Sequence, residues 1–341
     1  MTPEDRLRAL GWDDDVAARV AAVTRPGLVA ARVVRVDRGE VDVAVDLDEV
    51  HDLRATSTKA AKDCVAGDWV AVDAEAARVE AVAERRTAFV RRAARGARVP
   101  QTLAANLDVV LVVAGLEPGL NPRRLERELV LAHQSGGVPV VVLTKTDLVG
   151  PAATQAAVAD AVAAAPGVAV VALSSRTGEG LDRLRSLVAP GRTLALLGAS
   201  GVGKSSLVNA LAGTEVQLTA EIRAGDGKGR HTTTAARLLR LRDGHLLLDT
   251  PGVRALALWE SWDGLAAAFP DVEELAGSCQ FADCFHEDEP GCAVVAASDA
   301  GALDPERLEN WRRMRQEMAT LDADLVEAER RRQRAGRPPP A

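Results

Sequence analysis

The stretch that decides the fold is Gly198-Ala-Ser-Gly-Val-Gly-Lys-Ser205. It fits the pattern G-x-x-x-x-G-K-[ST], with an apolar run, Leu194–Leu197, before it and a helical pattern over residues 206–211 after it. The backbone N–H groups of such a loop face one concavity, and the next helix adds its positive N-terminal end, so we predict a phosphate-binding P-loop. The Lys204 amine would reach the terminal phosphates of a nucleotide, and the Ser205 hydroxyl would bind Mg²⁺. The residues expected to contact the nucleotide in this segment are Gly198, Ala199, Ser200, Gly201, Val202, Gly203, Lys204, Ser205 and Ser206.

The composition is that of a multidomain globular protein. The chain has 341 residues, which suggests two or three domains. Its formal net charge of −7 argues against a surface that is basic all over for nucleic acid. No apolar run reaches the ~18 residues needed to span a bilayer, and the N-terminus lacks the layout of a signal peptide. The four cysteines are too few for a disulfide scaffold, so a reducing cytoplasm is the expected location, and we expect no membrane partner. A monomer is our expectation as well, although nothing in the sequence determines the oligomeric state.

The middle of the chain alternates short apolar runs with helical patterns. Asn121 precedes Pro122 in the arrangement typical of a helix N-cap and first turn. This alternation predicts a parallel sheet with helices on both faces. The predicted strands cover residues 109–113, 138–143, 168–173, 194–197, 238–241 and 245–248, the last two as a hairpin, and the predicted helices cover 122–134, 152–165 and 180–188.

A second phosphate-related motif, Asp249-Thr-Pro-Gly252, follows the apolar run 246–248. An acid at the end of a buried strand, downstream of a P-loop, can hold Mg²⁺, usually through a water. The backbone N–H of Gly252 can approach the γ-phosphate because no Cβ intervenes. The polar, glycine-rich segment 225–234 lies between the two motifs, and one of its threonines, with Thr233 as our choice, can close on Mg²⁺ when the γ-phosphate is present.

Thr144-Lys145-Thr146-Asp147 resembles the Asn-Lys-x-Asp guanine motif of GTPases, with Thr in the place of Asn. The Asp147 carboxylate can accept from both guanine N1–H and the exocyclic amino group, whereas adenine has neither donor on that edge. An unmet buried acceptor costs on the order of 1–3 kcal/mol, which discriminates between the bases. The Lys145 stem can lie along the base, and Ser174 and Ser175 fit the loop that closes over guanine.

The order of these motifs is unusual, since the guanine motifs precede the P-loop instead of following it. All the loops must still meet at one edge of one sheet. The sequence therefore predicts a circularly permuted GTPase domain, an arrangement that is tolerated when domain termini lie close together at the surface.

The N-terminal third predicts a helix and then a small barrel. Residues 5–23 have the spacing of an amphipathic helix, and several short alternating segments between 29 and 82 predict a closed, OB-like barrel. Such a barrel can bind RNA or serve as a spacer or dimerisation module. The arginine-rich segment 85–98 is either a phosphate-contacting strip or a solvated linker.

Near the C-terminus, Cys279, Cys284, His286 and Cys292 have the spacing C-x₄-C-x-H-x₅-C. Four soft ligands within fourteen residues suit tetrahedral Zn²⁺ in a closed structural site. The alternative is three buried, reduced cysteines beside a polar histidine. A helix is predicted from Asp304-Pro305 to about Arg332.

Taken together, these motifs resemble the ribosome small-subunit-dependent GTPase A family of circularly permuted GTPases. The fold that this implies is an N-terminal OB-like β-barrel, a central circularly permuted α/β P-loop GTPase domain and a mainly helical zinc-binding domain. The expected bounds are 1–85 for helix and barrel, 86–103 for a basic linker, 104–257 for the GTPase domain and 258–341 for the zinc-binding domain. The resemblance further implies that the domains contact the small ribosomal subunit and its rRNA during late maturation, with GTP hydrolysis coupled to release.

The catalytic residues expected are Lys204, Gly252 and His231. Ras-like enzymes place a glutamine just after Asp-x-x-Gly, and here Val253 occupies that position, so we expect slow intrinsic hydrolysis that the ribosome stimulates. His231 is our candidate for positioning the attacking water, although a structural or RNA-contacting role fits it equally. The rival functions are a GTP-dependent switch on another protein, RNA or membrane partner, and a P-loop kinase or ATPase, which Asp147 disfavours.

Overall fold

The N-terminal strands of the computed structural model close into a five-stranded barrel. The structure describes residues 7–37, 40–46, 50–91, 101–212, 236–241, 244–249, 258 and 261–335. The barrel strands are β1 (Val29–Asp37), β2 (Glu40–Asp46), β3 (Val50–Ser57), β4 (Trp69–Asp73) and β5 (Arg78–Val82). They pair in the order β1-β2-β3-β5-β4 and back to β1, with only the β3–β5 pair parallel among them. Alternate valines fill the interior, which confirms the predicted OB-like barrel.

The helix predicted over residues 5–23 is interrupted, so this prediction was wrong in extent. Gly11 has a φ of +86°, which a continuous right-handed helix does not permit. A new helix, α1 (Asp14–Ala21), starts after this break. Asp13 is its N-cap, and the Asp13 carboxylate accepts from the backbone N–H of Val16 at 2.9 Å. Val16 and Val20 then pack with Leu7 and Leu10 against the outside of the barrel.

The arginine-rich connection contains a two-stranded hairpin, β6 (Ala88–Arg91) and β7 (Gln101–Ala105). Its first two arginines are tied into the protein. Nε of Arg85 donates to Oδ1 of the fully buried Asp68 at 2.7 Å, and Nη1 of Arg86 donates to Oδ2 of Asp13 at 2.7 Å. These two side chains therefore fix the connection to the barrel and to α1; the arginines between the strands lie outside the described residues.

The central sheet is parallel except at one edge. Its strands are β8 (Val109–Gly115), β9 (Val138–Thr144), β10 (Ala169–Ala172), β11 (Thr193–Leu197), β12 (Arg237–Arg240) and β13 (Leu246–Asp249). They lie in the order β10-β9-β8-β11-β13-β12, and only β12 is antiparallel to its neighbour β13. The helices of this region are α2 (Pro122–Gln134), α3 (Pro151–Ala164), α4 (Leu181–Leu187) and α5 (Lys204–Ala212).

The sheet is buried on both faces. Val110 and Val112 of β8 belong to one apolar core, whereas Leu111 and Val113 belong to the other. This division follows from the alternation of side chains along a strand. The α/β pattern predicted from the sequence is confirmed, including the Asn121 cap, whose side-chain oxygen accepts from the N–H of Arg124 at 3.0 Å.

The barrel and the central sheet are joined through β1 and β12, which pair at Arg35 and Arg237. A buried arginine of β1 reinforces this junction. Nη2 of Arg32 donates to the Asn106 carbonyl at 2.9 Å and to Oγ1 of Thr193 at 2.8 Å. Burial lowers the pKa of Arg32 to about 10. Since Thr193 begins β11, the strand that leads into the predicted P-loop, the barrel is anchored directly to the half of the sheet that carries this loop.

The C-terminal region consists of α6 (Trp262–Ala268), α7 (Pro270–Ala276), α8 (Ala293–Asp299) and α9 (Pro305–Ala335). Helix α6 approaches α2 closely at Gly264, where an added Cβ would lie 2.6 Å from the Val130 carbonyl oxygen. Among the described residues, no helix combines the length and the apolar character needed to cross a bilayer.

Candidate nucleotide site and metal cluster

The P-loop leaves β11 and enters α5 as the sequence predicts, and glycines permit its path. Gly198 has a φ of +140°, and an added Cβ there would lie 2.4 Å from the carbonyl oxygen of Val113. Gly203 has a φ of +97°, directly before Lys204 begins α5. The loop therefore passes against the end of β8 and arrives at a helix N-terminus, where backbone donors can bind phosphate.

The side chains that would bind phosphate and metal lie at this helix start. Nζ of Lys204 donates to the carbonyl of Gly198 at 2.7 Å and also to that of Ala199. The lysine side chain therefore folds back onto the loop that the sequence predicts to bind phosphate. Ser200, Ser205 and Ser206 are exposed, so their hydroxyls are accessible from outside.

Thr144 connects the guanine motif to the P-loop. Its side chain is buried at the end of β9, and its hydroxyl hydrogen-bonds to the carbonyls of Val202 and Ala114. Lys145 follows in the left-handed region, at a φ of +65°. Its Cδ lies 3.7 Å from where a Cβ on Gly115 would stand, so the lysine stem runs over the end of β8.

Asp147 lies in a short 3-10 turn, Thr146–Leu148, with both carboxylate oxygens engaged. Oδ1 accepts from Oγ of Ser174 at 2.6 Å, and Oδ2 accepts from Nε of Arg176 at 2.8 Å. The hydrogen bond from Ser174, together with the charge of Arg176, lowers the pKa of Asp147, so the carboxyl is ionised at neutral pH. An ionised carboxylate is the acceptor that a guanine edge requires.

The loop after β10 is shaped around Ser174. Oγ of Ser174 accepts from the backbone N–H groups of Arg176 at 3.2 Å and Thr177 at 3.1 Å while it donates to Asp147. The hydroxyls of Ser175 and Thr146 are buried and have no hydrogen-bond partner in the described part of the chain. Since an unsatisfied buried hydroxyl costs about 1–3 kcal/mol, these two atoms favour a ligand or water at this loop.

Asp249 ends β13, beside β11. The register pairs Ala195 with Leu248, which brings Asp249 to the level just before the P-loop. Burial raises the pKa of Asp249. A nearby divalent cation would offset this cost, and a carboxylate with a serine hydroxyl is a donor set that Mg²⁺ accepts. The other residues assigned to the phosphate and metal chemistry, Thr233, His231 and Gly252, lie outside the described residues.

The four predicted metal ligands come together in the C-terminal region. The ligand atoms of Cys279, Cys284, His286 and Cys292 all lie within 4.8 Å of one another. Sγ of Cys279 and of Cys292 are 3.9 Å apart, and each is 3.5 Å from Nδ1 of His286. Tetrahedral Zn²⁺ with S and N ligands would separate these atoms by about 3.5–3.8 Å. The cluster thus fits a four-coordinate metal, and its cysteines form no disulfide.

Helices hold this cluster from two sides. Cys292 is the N-cap of α8, and its Sγ accepts from the backbone N–H of Val295 at 3.4 Å. His286 adopts a φ of +60°, and Nε of Arg312 in α9 donates to its carbonyl at 2.7 Å. The Trp311 ring lies 5.3 Å from the imidazole, centroid to centroid. The ligand loop is therefore fixed to α9 through both its backbone and its ring.

Comparison with known proteins decides the family. The sequence profile of the RsgA GTPase family matches residues 82–259. A relative from Streptomyces coelicolor, named small ribosomal subunit biogenesis GTPase RsgA, is 47% identical over 319 residues, which cover 91% of this chain and 86% of the relative. This chain belongs to the RsgA GTPase family. It is therefore a GTP-hydrolysing enzyme, and the resemblance inferred from its motifs is confirmed.

Further relatives agree with this assignment to the RsgA family. A protein of the same name from Syntrophotalea carbinolica is 41% identical over 338 residues, covering 94% of this chain and 92% of its own. Two crystal structures share the fold. YjeQ from Thermotoga maritima matches with a TM-score of 0.65 at 24% identity, over 86% of this chain and 99% of its own. YloQ, described as a circularly permuted GTPase, matches with a TM-score of 0.61 at 22% identity, over 92% and 97%.

Sequence reasoning missed two charged residues, one that contacts Asp147 and one that interacts electrostatically with Lys204. Arg176 contacts Asp147. Because it directly follows the predicted Ser174 and Ser175, its position in the sequence could have indicated a place at the site. Glu128 of α2 is mostly buried and lies in the field of Lys204, and burial raises its pKa to about 7. Only the packing of α2 against the sheet reveals this second residue, since Glu128 is 76 positions from Lys204 in the chain.

Proposed function

We propose that this RsgA-family GTPase acts on the small ribosomal subunit, assists its late maturation, and couples GTP hydrolysis to its release. The names of the relatives support this proposal, because they describe biogenesis of that subunit. The partner would be the subunit together with its rRNA. We further propose that the protein works in the cytoplasm as a monomer and without a membrane partner.

The observation that carries the nucleotide assignment is the junction between the guanine motif and the P-loop. Thr144 hydrogen-bonds to Val202 of the P-loop, and three residues later Asp147 is ionised and held by Ser174. These two contacts support a site in which a base acceptor and a phosphate-binding loop are held at a fixed separation. Lys145 and Ser175 would complete the base pocket, and residues 198–206 would bind the phosphates.

Mg²⁺ would be held by Ser205, Thr233 and Asp249, and when bound it supplies positive charge that stabilises the phosphates during transfer. Lys204 would bind the β- and γ-phosphates, and the Gly252 N–H would contact the γ-phosphate. His231 would orient the attacking water. Because Val253 cannot take the role of the Ras glutamine, we expect slow hydrolysis until the subunit completes the site.

The Cys279, Cys284, His286 and Cys292 cluster would bind one Zn²⁺ as a structural site. Three thiolates and one imidazole occupy four tetrahedral positions, so no position is left for a reacting water. The metal would hold the loop before α8 in shape, and the helical region would present that loop to the subunit.

The decisive experiment measures GTP hydrolysis at one protein concentration with no addition, with purified small subunits, and with purified large subunits. We expect small subunits to raise kcat by at least ~10-fold and large subunits to leave it unchanged. A Lys204→Ala variant should lack the protein's own GTPase activity, so any hydrolysis that remains measures contaminating enzymes. Equal rates in all three conditions would overturn the ribosomal role and favour a GTP-dependent switch on a non-ribosomal protein or RNA partner.

Two variants test the assigned residues within the same assay. Asp147→Asn should move the preference from GTP toward XTP, because an amide can donate to the xanthine 2-oxo group; an unchanged preference would mean that the base motif is misassigned. His231→Ala should reduce subunit-stimulated turnover and spare GTP affinity. Full stimulated turnover in that variant would remove His231 from the mechanism.

A further inference from the structure

Arg176 occupies the acceptor that guanine needs. Its Nε donates to Oδ2 of Asp147 at 2.8 Å, while Ser174 holds Oδ1. The Asp147 side chain is only 11% exposed, so few directions of approach to its oxygens remain. The Arg176 side chain is 74% exposed, which leaves it free to swing outward.

The chemistry of the two donors is closely related. A guanidinium presents N–H donors on either side of one carbon, and the N1–C2–N2 edge of guanine presents the same fragment. Both suit a carboxylate, whose two oxygens accept a pair of parallel N–H groups. In the structure Arg176 places one such N–H, that of Nε, on Oδ2 of Asp147, where an N–H of the base would otherwise bind. This inference rests on the proposed assignment of Asp147 as the guanine acceptor.

We propose that Arg176 is an internal competitor for the guanine site, which lowers guanine-nucleotide affinity by pairing with Asp147 and must swing away before the base binds. The protein then interconverts between a paired form and a binding-competent form. The observed affinity is the intrinsic affinity multiplied by the competent fraction. A substitution that removes the guanidinium leaves only the binding-competent form.

The size of the effect follows from the exposure of the pair. Ion pairs with one exposed partner are modest, so removal of Arg176 should tighten GDP binding by roughly two- to five-fold. The gain should appear in the association rate, because the competent fraction limits encounter, and the dissociation rate should stay unchanged. Salt screens an exposed pair, so the ratio between the wild type and the variant should shrink toward one as the salt concentration rises.

The loop geometry does not depend on the Arg176 side chain. Its backbone N–H, not its guanidinium, donates to Ser174 Oγ at 3.2 Å, and Thr177 donates to the same oxygen. An Arg176→Ala substitution keeps both of these bonds and the bond from Ser174 to Asp147. The variant therefore isolates the competing group from the structure around it.

The test is stopped-flow binding of a fluorescent GDP derivative to full-length wild type, Arg176→Ala and Arg183→Ala, the last an exposed arginine of nearby α4 as the matched control. We expect faster association for Arg176→Ala alone, with equal dissociation rates for all three. If Arg176→Ala associates no faster than Arg183→Ala, the proposal is overturned. A faster dissociation rate would overturn it too, because Arg176 would then hold the bound base.

A double-mutant cycle separates this proposal from the guanine assignment itself. Asp147→Asn alone should weaken GDP binding strongly; if it does not, the assignment fails whatever Arg176 does. In the Asp147→Asn background, measured with fluorescent XDP, the Arg176→Ala substitution should change association by less than about two-fold, since the charge pair is gone. A full effect in that background would show that Arg176 acts elsewhere and would overturn the proposal.

Discussion

Nη1 of Arg307 in α9 donates to Oε1 of Glu126 in α2 at 2.8 Å, and the two side chains are only 6% and 3% exposed. The same guanidinium donates to both oxygens of Asp271 in α7, at 2.7 and 2.8 Å. Cζ of Arg307 lies 4.3 Å from the centroid of the Phe269 ring. One arginine thus connects the C-terminal helices to the helix that follows β8 of the central sheet.

Replacing Arg307 with Met should destabilise the protein by about 3–5 kcal/mol, because it leaves the buried Glu126 carboxylate and the partly buried Asp271 carboxylate without their cation. Although burial opposes it, the hydrogen bonds and charge of Arg307 lower the pKa of Asp271. Arg313→Met is the matched control, since Arg313 pairs with Glu309 in an exposed i,i+4 contact worth about 0.3–0.5 kcal/mol. Urea unfolding followed by circular dichroism measures both. Equal midpoints for the two variants would contradict the connecting role of Arg307.

A Gly198→Ala substitution should abolish tight nucleotide binding. The added Cβ would lie 2.4 Å from a backbone oxygen of Val113, which cannot rotate away, and the φ of +140° suits glycine alone. We expect at least ~10-fold weaker GDP binding and a loss of about 2–4 kcal/mol of stability. Fluorescent-nucleotide titration and thermal unfolding measure the two effects.

Gly27→Ala provides the control for backbone strain alone. Gly27 also has a positive φ, +89°, but nothing lies within 4 Å of its added Cβ, and it precedes the barrel. It should lose about 1 kcal/mol of stability and keep full nucleotide affinity. Similar affinities for the two variants would mean that the contact with β8 does not shape the P-loop.

The pH dependence of stability should contain a contribution from Glu128. Burial raises its pKa from 4.5 to about 7 in the folded state, against the charges of Arg124 and Lys204. The folded state binds the Glu128 proton more tightly than the unfolded state does. The contribution of this protonated carboxyl to the free energy of unfolding is therefore complete below about pH 4.5 and is lost as the pH rises through about 7. The loss attributable to this group is on the order of 3 kcal/mol at most.

A Glu128→Gln variant removes this titration and keeps the shape of the side chain. Urea midpoints at about pH 5 and about pH 8 should show the variant gaining stability relative to wild type as the pH rises. The exposed Glu309→Gln substitution, which removes a surface carboxylate, should show no such gain. If Glu128→Gln shows no gain either, the raised pKa assigned to Glu128 is wrong.

Local signals explain why much of the fold was predictable. The P-loop, the Asn121 cap and the alternating apolar strands are each encoded within a few neighbouring residues, and each forms where the sequence placed it. The metal cluster was predictable for the same reason, since its ligands span fourteen residues. The break at Gly11 had a local signal too, a glycine inside an amphipathic pattern, and the helical periodicity on either side concealed it.

The long-range contacts had no such signal. Arg32 meets Thr193 across 161 positions, and Arg307 meets Glu126 across 181. In a chain rich in arginine, nothing local distinguishes these two side chains from solvated ones. Arg85 and Arg86 show the same limit, because the run that predicted a phosphate strip or a linker begins with two structural ion pairs. These arginines stabilise the fold because they are buried and paired, and burial can be known only from the packed structure.

Removing one metal ligand should release the metal and loosen the C-terminal helices. In a Cys284→Ala variant the remaining three ligands leave an open position, so we expect bound zinc to fall from one per chain to below about 0.1 after dialysis. A chelator should lower the melting temperature of wild type and leave that of the variant unchanged, because ligand-linked stability is already lost. Cys64→Ala is the control, since Cys64 is buried in the barrel, away from the cluster. That variant should lose some barrel stability yet retain one zinc and its chelator sensitivity. Full zinc content in Cys284→Ala would exclude Cys284 as a ligand, because a closed tetrahedral site cannot spare one of its four donors.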